Sequence, residues 1–194
     1  MVVRDPQNTR ARLLAAAQKE FNSRGYFGTD SNRIARRAGY APQTFYRHFA
    51  DKIAIFLAVY DGWWQAESAA LGQILSTPAL ARHARQAAKV VIDFHTRWRI
   101  FRRSLRHLAI EEPRVRAARA AARKAQIAHQ RAITGNRRSE AEMVAALLAA
   151  ERLCDAHADG ELADLGLSAS AALGLIVGCM AELTGRSARR SAIG

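Results

Sequence analysis

A chain of 194 residues is long enough for one or two compact domains, and 49% hydrophobic against 24% charged residues is too apolar for a disordered segment. The 30 Lys and Arg against 17 Asp and Glu leave a net charge of +13, which favours a polyanionic partner such as nucleic acid, an anionic membrane or an acidic small molecule. The opening MVVRDPQNTR has no apolar run with a small-residue cleavage site. The longest apolar stretch, 169-ASAALGLIVGCMAEL-183, is shorter than the roughly 20 residues that span a bilayer, and the two cysteines have no CxxC spacing. Export, a membrane span and a disulfide framework are therefore not expected, and a reducing cytoplasm is.

Apolar residues recur three or four apart almost throughout, so the expected fold class is all-α, with about nine helices and no strands. Thr9 is placed to cap a first helix carrying Leu13, Leu14, Ala17 and Phe21, which Gly25 ends. A second helix runs from Ser31 to Ala38 and stops at Gly39, a third spans Pro42 to His48, and a fourth starts near Asp51 and runs toward Leu75. Thr77-Pro78 then punctuates the chain. Residues 79–110 read as one long helical stretch, broken at most once, before Pro113 opens a helix to about Thr134. Ser139 with Glu142 has the spacing of a capping box for a helix to about His157, and Ser168 caps a last one to about Thr184. Between those two lies a turn-rich segment, 159–166.

Charge is spread unevenly over this map: +6 in residues 1–52, −2 in 53–81, +13 in 82–138 and −4 in 139–194. The first basic zone contains a helix, a turn at Gly39 and a second helix opening on a proline, which is helix-turn-helix spacing. Glycine supplies the positive φ of the sharp turn, and proline fits the first helical position because its amide has no intrahelical partner anyway. Ile34, Ala35, Ala38, Phe45 and Phe49 then point inward against Leu14, Ala17 and Phe21. Gln43, Thr44, Tyr46, Arg47 and His48 are left on or near the outward side.

A helix of this kind fits the major groove of duplex DNA with its first turn nearest the bases. Gln43 and Thr44 lie in that turn, where an amide matches an adenine edge and a methyl meets a thymine methyl. Tyr46 and His48 suit phosphate oxygens. On the residues alone, the alternative that both merely close a small core stays open.

The stretch from about Thr9 to Phe56 resembles the DNA-binding domain of the TetR family of bacterial transcriptional regulators, through GYFGTDSNRIARRAG, TFYRHF and the DK that opens the fourth helix. The resemblance implies a three-helix DNA-binding domain over residues 1–53 and an effector-binding and dimerisation domain over 54–194. It implies a homodimer on palindromic double-stranded DNA, a repressor released by a small-molecule effector. Thr29, Thr44, Tyr46 and Lys52 become contacts to the DNA backbone, with Arg33, Pro42, Gln43, Arg47 and His48 completing the candidate set. The chain departs from the family in having Ala41 and Gln43 where members often carry Ser and Gly, and Ser31 where an apolar residue is common. Loss of the serine removes a helix cap worth on the order of 1 kcal/mol, which Pro42 offsets in part.

Downstream there is pattern but no comparable motif. Ala87, Val91, Phe94, Trp98, Phe101, Leu105 and Leu108 step by four and three, forming one apolar seam that is plain core or, in part, the wall of a cavity. The resemblance suggests a cavity, with Trp63, Trp64, Phe94, His95, Trp98 and Phe101 as the candidate lining and a mostly apolar effector. The arginines from Arg97 to Arg123 form a solvated face or lend one or two members to an anionic effector. Met143, Leu147, Ala150 and Cys154 form one stripe, and Leu173, Ile176, Val177 and Met180 another. Paired with their copies they would make a four-helix dimer bundle, the alternative being intrachain core. No histidine pair has metal-site spacing and no nucleophile–base grouping appears, so neither a metal, a cofactor nor an enzyme is expected. The rival functions are a non-specific nucleic-acid or anionic-surface binding protein and an all-helical small-molecule carrier.

Overall fold

A computed structural model describes residues 6–75 and 80–184, and among these every regular element is helical. The helices are α1 (Pro6–Arg24), α2 (Ser31–Arg37), α3 (Pro42–His48), α4 (Lys52–Leu75), α5 (Leu80–Arg97), α6 (Arg99–Glu111), α7 (Pro113–Thr134), α8 (Glu140–Asp159), α9 (Glu161–Asp164) and α10 (Ala169–Leu183). The expected Thr77-Pro78 break lies outside the described residues.

Most boundaries follow local chemistry. Asp30 caps α2, its Oδ1 accepting the Arg33 N–H at 2.7 Å, and Gly39 takes φ +80° just past the helix end. Ala41 gives α3 no side-chain cap and Pro42 opens it, as the sequence predicts. The Ser139–Glu142 capping box forms in full, and Ser168 caps α10 by accepting the Ala171 N–H.

Two expectations need correction, at Thr9 and in the turn-rich segment, while the one break allowed for in the long central stretch falls at Trp98. α1 begins at Pro6, so Thr9 is a buried residue inside the first turns and not a cap. The long central stretch divides at Trp98, whose φ −110° and ψ 19° interrupt the helix although the apolar seam runs on. The turn-rich segment holds the four-residue α9, set off by Gly160 at φ +87°.

The chain forms two compact units, Met1–Gln65 with Trp98–Arg119, and Ala66–Arg97 with Ala120–Gly194. This grouping puts α6 and the start of α7 with the N-terminal helices, a different partition from a functional boundary at residue 53. The first unit is built on Leu13, Ala17, Phe21, Ile34, Ala35, Phe45 and Phe56, all fully buried or nearly so, with Leu14 only half-buried beside them. Phe56 is the hub, edge-on to Phe21 at 5.2 Å between centroids and stacked on Phe101 at 4.7 Å. The second unit centres on α5, α8 and α10, whose Ala87, Val91, Met143, Leu147, Ile176 and Met180 interdigitate with Leu71 of α4 and Ile127 of α7.

Candidate nucleic-acid interface

α3 has seven residues, and its two faces differ completely. Phe45 is fully buried and Phe49, just after it, nearly so. Gln43, Tyr46 and Arg47 are exposed, with Pro42, Thr44 and His48 half-buried between them. This is the outward set expected from the sequence. Arg10 lies over the Phe49 ring at 4.9 Å and Arg12 over Tyr40 at the same distance, so cations border α3 while their stems and guanidinium faces cover aromatic surface. An exposed short helix edged by cations, with an amide at its start and a phenol in its middle, can place hydrogen-bond donors on an anionic backbone and an amide on base edges.

Tyr46 is 58% exposed, yet its phenol is not loose: Oη lies 2.8 Å from Ser31 Oγ at the start of α2, and the ring packs edge-on against Phe45 at 5.3 Å. α2 itself is held from below by Glu20 of α1. That carboxylate is only 3% exposed, and it accepts hydrogen bonds from Arg33 Nε at 2.9 Å and Arg37 Nη1 at 2.9 Å, with Arg24 Nε at 3.7 Å. These partners satisfy the acceptor oxygens of a carboxylate that is almost wholly out of solvent. Arg33, expected at the DNA, is therefore already an ion-pair partner inside the unit, with its guanidinium still partly exposed.

Thr29 and Lys52, expected as backbone contacts, are engaged in the same internal work. Thr29 is buried, and its hydroxyl donates toward the Glu20 carbonyl at 3.5 Å. Lys52 Nζ donates to the carbonyls of Tyr26 at 3.1 Å and Thr29 at 2.9 Å and sits 3.9 Å from the centre of the Tyr26 ring. Burial pushes the Lys52 ammonium below the usual lysine range, against the pull of the nearby Asp30 carboxylate. Together they pin the turn between α1 and α2 to the start of α4. The sequence pointed to neither Glu20 nor Ser31 as members of this assembly. Asp30 was the one available signal, an N-cap residue directly before a helical run.

The other candidate sites fare differently. Trp63 is buried, stacked with Tyr60 at 6.1 Å and covered by the Arg102 guanidinium at 4.8 Å, and Trp98 meets Phe101 edge-on at 5.5 Å. Trp63, Trp64, Trp98 and Phe101 belong to the first unit, and the half-buried Phe94 and the buried His95 to the second. His95, 2% exposed, has Nδ1 2.9 Å from Asp155 Oδ1 and Nε2 3.7 Å from Glu67 Oε1, a buried carboxylate–imidazole–carboxylate row. A cavity of about 340 Å³ in the first unit is lined by Phe27, Arg103, Ser104 and His107. A groove of about 520 Å³ in the second follows α7 and α8 past Lys124, Ile127, Val144, Leu147 and Leu148. None of the six expected lining residues borders either.

The expected dimer stripe is likewise core. Met143, Leu147, Ala150, Cys154, Ile176 and Met180 are buried within the single chain, and Leu173 and Val177 pack half-buried against them. The apolar residues that α8 and α10 leave outside are others: Val144, Leu148 at 43% exposure and Leu175 at 48%.

Comparison with known proteins bears on the first unit above all. Residues 13–59 match the family of bacterial regulatory proteins described as the tetR family. A 50-residue segment is 42% identical to the HTH-type transcriptional activator FasR of Mycolicibacterium smegmatis, covering 26% of this chain and 23% of that protein. Over 91 residues it is 31% identical to YdgC, an uncharacterized HTH-type transcriptional regulator of Bacillus subtilis, covering 44% of this chain and 47% of the relative. The chain thus spans less than half the length of either. A crystal structure of a TetR-family transcriptional regulator from Rhodococcus sp. superposes with a TM-score of 0.68 at 19% identity, over 92% of this chain and 99% of that one, which shows the shared fold. The family and these relatives are transcriptional regulators, not enzymes. The helix-turn-helix at residues 31–48 thus lies inside the segment that matches the model of the tetR family of bacterial regulatory proteins, and the fold of the described residues is shared with the Rhodococcus protein.

Proposed function

We propose that this chain is a DNA-binding transcriptional regulator that acts as a homodimer, represses at a near-palindromic operator and is released by a small, mostly apolar effector. The observation that carries this is the two-faced α3, with Phe45 fully buried beneath it and Gln43, Tyr46 and Arg47 turned out. Such a helix enters a major groove, Gln43 addressing a base edge and Tyr46, Arg47 and His48 the phosphates. Residues 1–53 form the DNA-reading part and 54–194 the effector and dimerisation part. Two copies of α3 spaced by one helical turn, roughly 34–36 Å, read the two half-sites.

Among the described residues of α8 and α10, the exposed Val144, Leu148 and Leu175 are the large apolar side chains that a second copy would cover. Filling of an effector site biases the dimer toward a form that no longer fits the operator, by no more than the effector's differential affinity for the two forms.

The test starts from a random library of duplex DNA incubated with the purified protein. Selection should recover one near-palindrome, bound less tightly as salt rises. Gln43→Ala should relax the preference at one base position by about 1–3 kcal/mol. Equal binding to every duplex would replace the reading with that of a general polyanion binder. A reporter placed behind the recovered site then separates repression, the expected result, from activation, the role named for the Mycolicibacterium relative.

A further inference from the structure

Two hydroxyl groups meet where α2 and α3 come together. Ser31 opens α2 directly after its cap Asp30, and its Oγ lies 2.8 Å from Tyr46 Oη, fifteen residues on and in the middle of α3. The phenol ring is fixed along its other edge by Phe45, 5.3 Å away, while the residue as a whole stays 58% exposed. α2 is in turn anchored through Arg33 and Arg37 to the buried Glu20. Ser31 therefore stands on a fixed support, and the phenol leans on Ser31.

We propose that Ser31 is a positioning residue for DNA binding: it fixes the Tyr46 hydroxyl at one place on the outward side of α3 and keeps one proton of the pair free for a phosphate oxygen. The inference rests on the reading of α3 as a DNA-binding helix. Its chemistry is a count of protons. The two hydroxyls carry two O–H groups, and their mutual hydrogen bond uses one, whichever oxygen donates it. A phosphodiester oxygen only accepts, and the remaining O–H is what the pair offers it. An alanine or an aliphatic side chain at position 31 would leave the phenol free to rotate about its side-chain torsions, and binding would have to order it. Because a phosphate contact places the protein without reporting sequence, the effect falls on all duplexes alike.

The experiment uses the full chain and the duplex recovered from the random library with the wild-type protein, alongside an unrelated duplex of equal length. Ser31→Ala should weaken binding to both by about threefold to tenfold, the range of one hydrogen bond. Tyr46→Phe should do the same, the double variant should be no weaker than Tyr46→Phe alone, and Ser31→Thr should restore most of the loss. Melting temperatures of all four should stay close to wild type, since the pair is exposed. Unchanged affinity in Ser31→Ala, or losses that simply add in the double variant, would overturn the proposal while leaving DNA binding intact. Failure of the wild-type protein to select any duplex would instead remove the functional reading beneath it, and the proposal with it.

Discussion

Glu20 is almost wholly out of solvent, and three guanidinium groups surround its carboxylate. Arg33 and Arg37 each donate at 2.9 Å to different oxygens of the carboxylate, and Arg24 lies beyond at 3.7 Å. Glu20→Gln keeps the shape but turns one acceptor into a donor facing a guanidinium. It should cost about 1–3 kcal/mol in urea unfolding, with the loss falling on the attachment of α2 to α1. Nothing in the sequence announces this residue, because its partners lie 13 and 17 positions away and only folding brings them together. Asp30 and Pro42 act on their immediate neighbours and could be read directly. The same distinction explains Thr29 and Lys52. Their residue types suit a phosphate, but their partners, the carbonyl oxygens of Glu20, Tyr26 and Thr29 itself, are set by the packing of α1, α2 and α4.

Elements were legible to the extent that their ends carry their own chemistry. α3 runs from Pro42 to His48 as expected, α7 opens on Pro113, and α8 and α10 start behind Ser139 and Ser168. The break at Trp98 was not placed, because the apolar spacing of Phe94, Trp98 and Phe101 continues through it and no Gly or Pro marks it. At Gly39 the requirement is explicit: φ is +80°, and a Cβ there would lie 3.1 Å from Arg12 Nη2. Gly39→Ala should therefore cost about 1–2 kcal/mol of stability, measured by thermal unfolding, chiefly from the left-handed backbone since the arginine tip can move. A melting temperature equal to wild type would mean that the turn relaxes to another geometry.

At the scale of the molecule, an apolar stripe tells that a helix face is covered but not by which chain. The stripe through Met143, Leu147 and Ala150 is covered by α5 and α10 of its own chain, and the adjacent Val144 and Leu148 are left outside with Leu175. Under the proposed pairing, the wild type should sediment as a dimer and Leu148→Asp combined with Leu175→Asp as a monomer at the same concentration, with an almost unchanged melting temperature. A fall of several degrees would return these residues to the core.

The net charge of +13 is also less bare than the count suggests. Arg114 pairs with Asp51 and Glu112, Arg116 donates to the carbonyls of Ala109 and Ile110, and Arg123 pairs with Glu151. Part of the second basic zone is thus engaged within the chain, as Arg33, Arg37 and Lys52 are in the first.

The brevity of α2 and α3 has a consequence of its own. Each has seven residues, and isolated helices shorter than about 12–15 residues barely persist in water, so neither outlasts the floor of Phe45, Ile34 and Phe21 on which it rests. The outward surface of α3 is therefore not an independent tool carried by a scaffold. Warm or mutate that floor, and amide protons along residues 42–48 should exchange with solvent while α8 and α10 still hold theirs, so that recognition fails ahead of the fold.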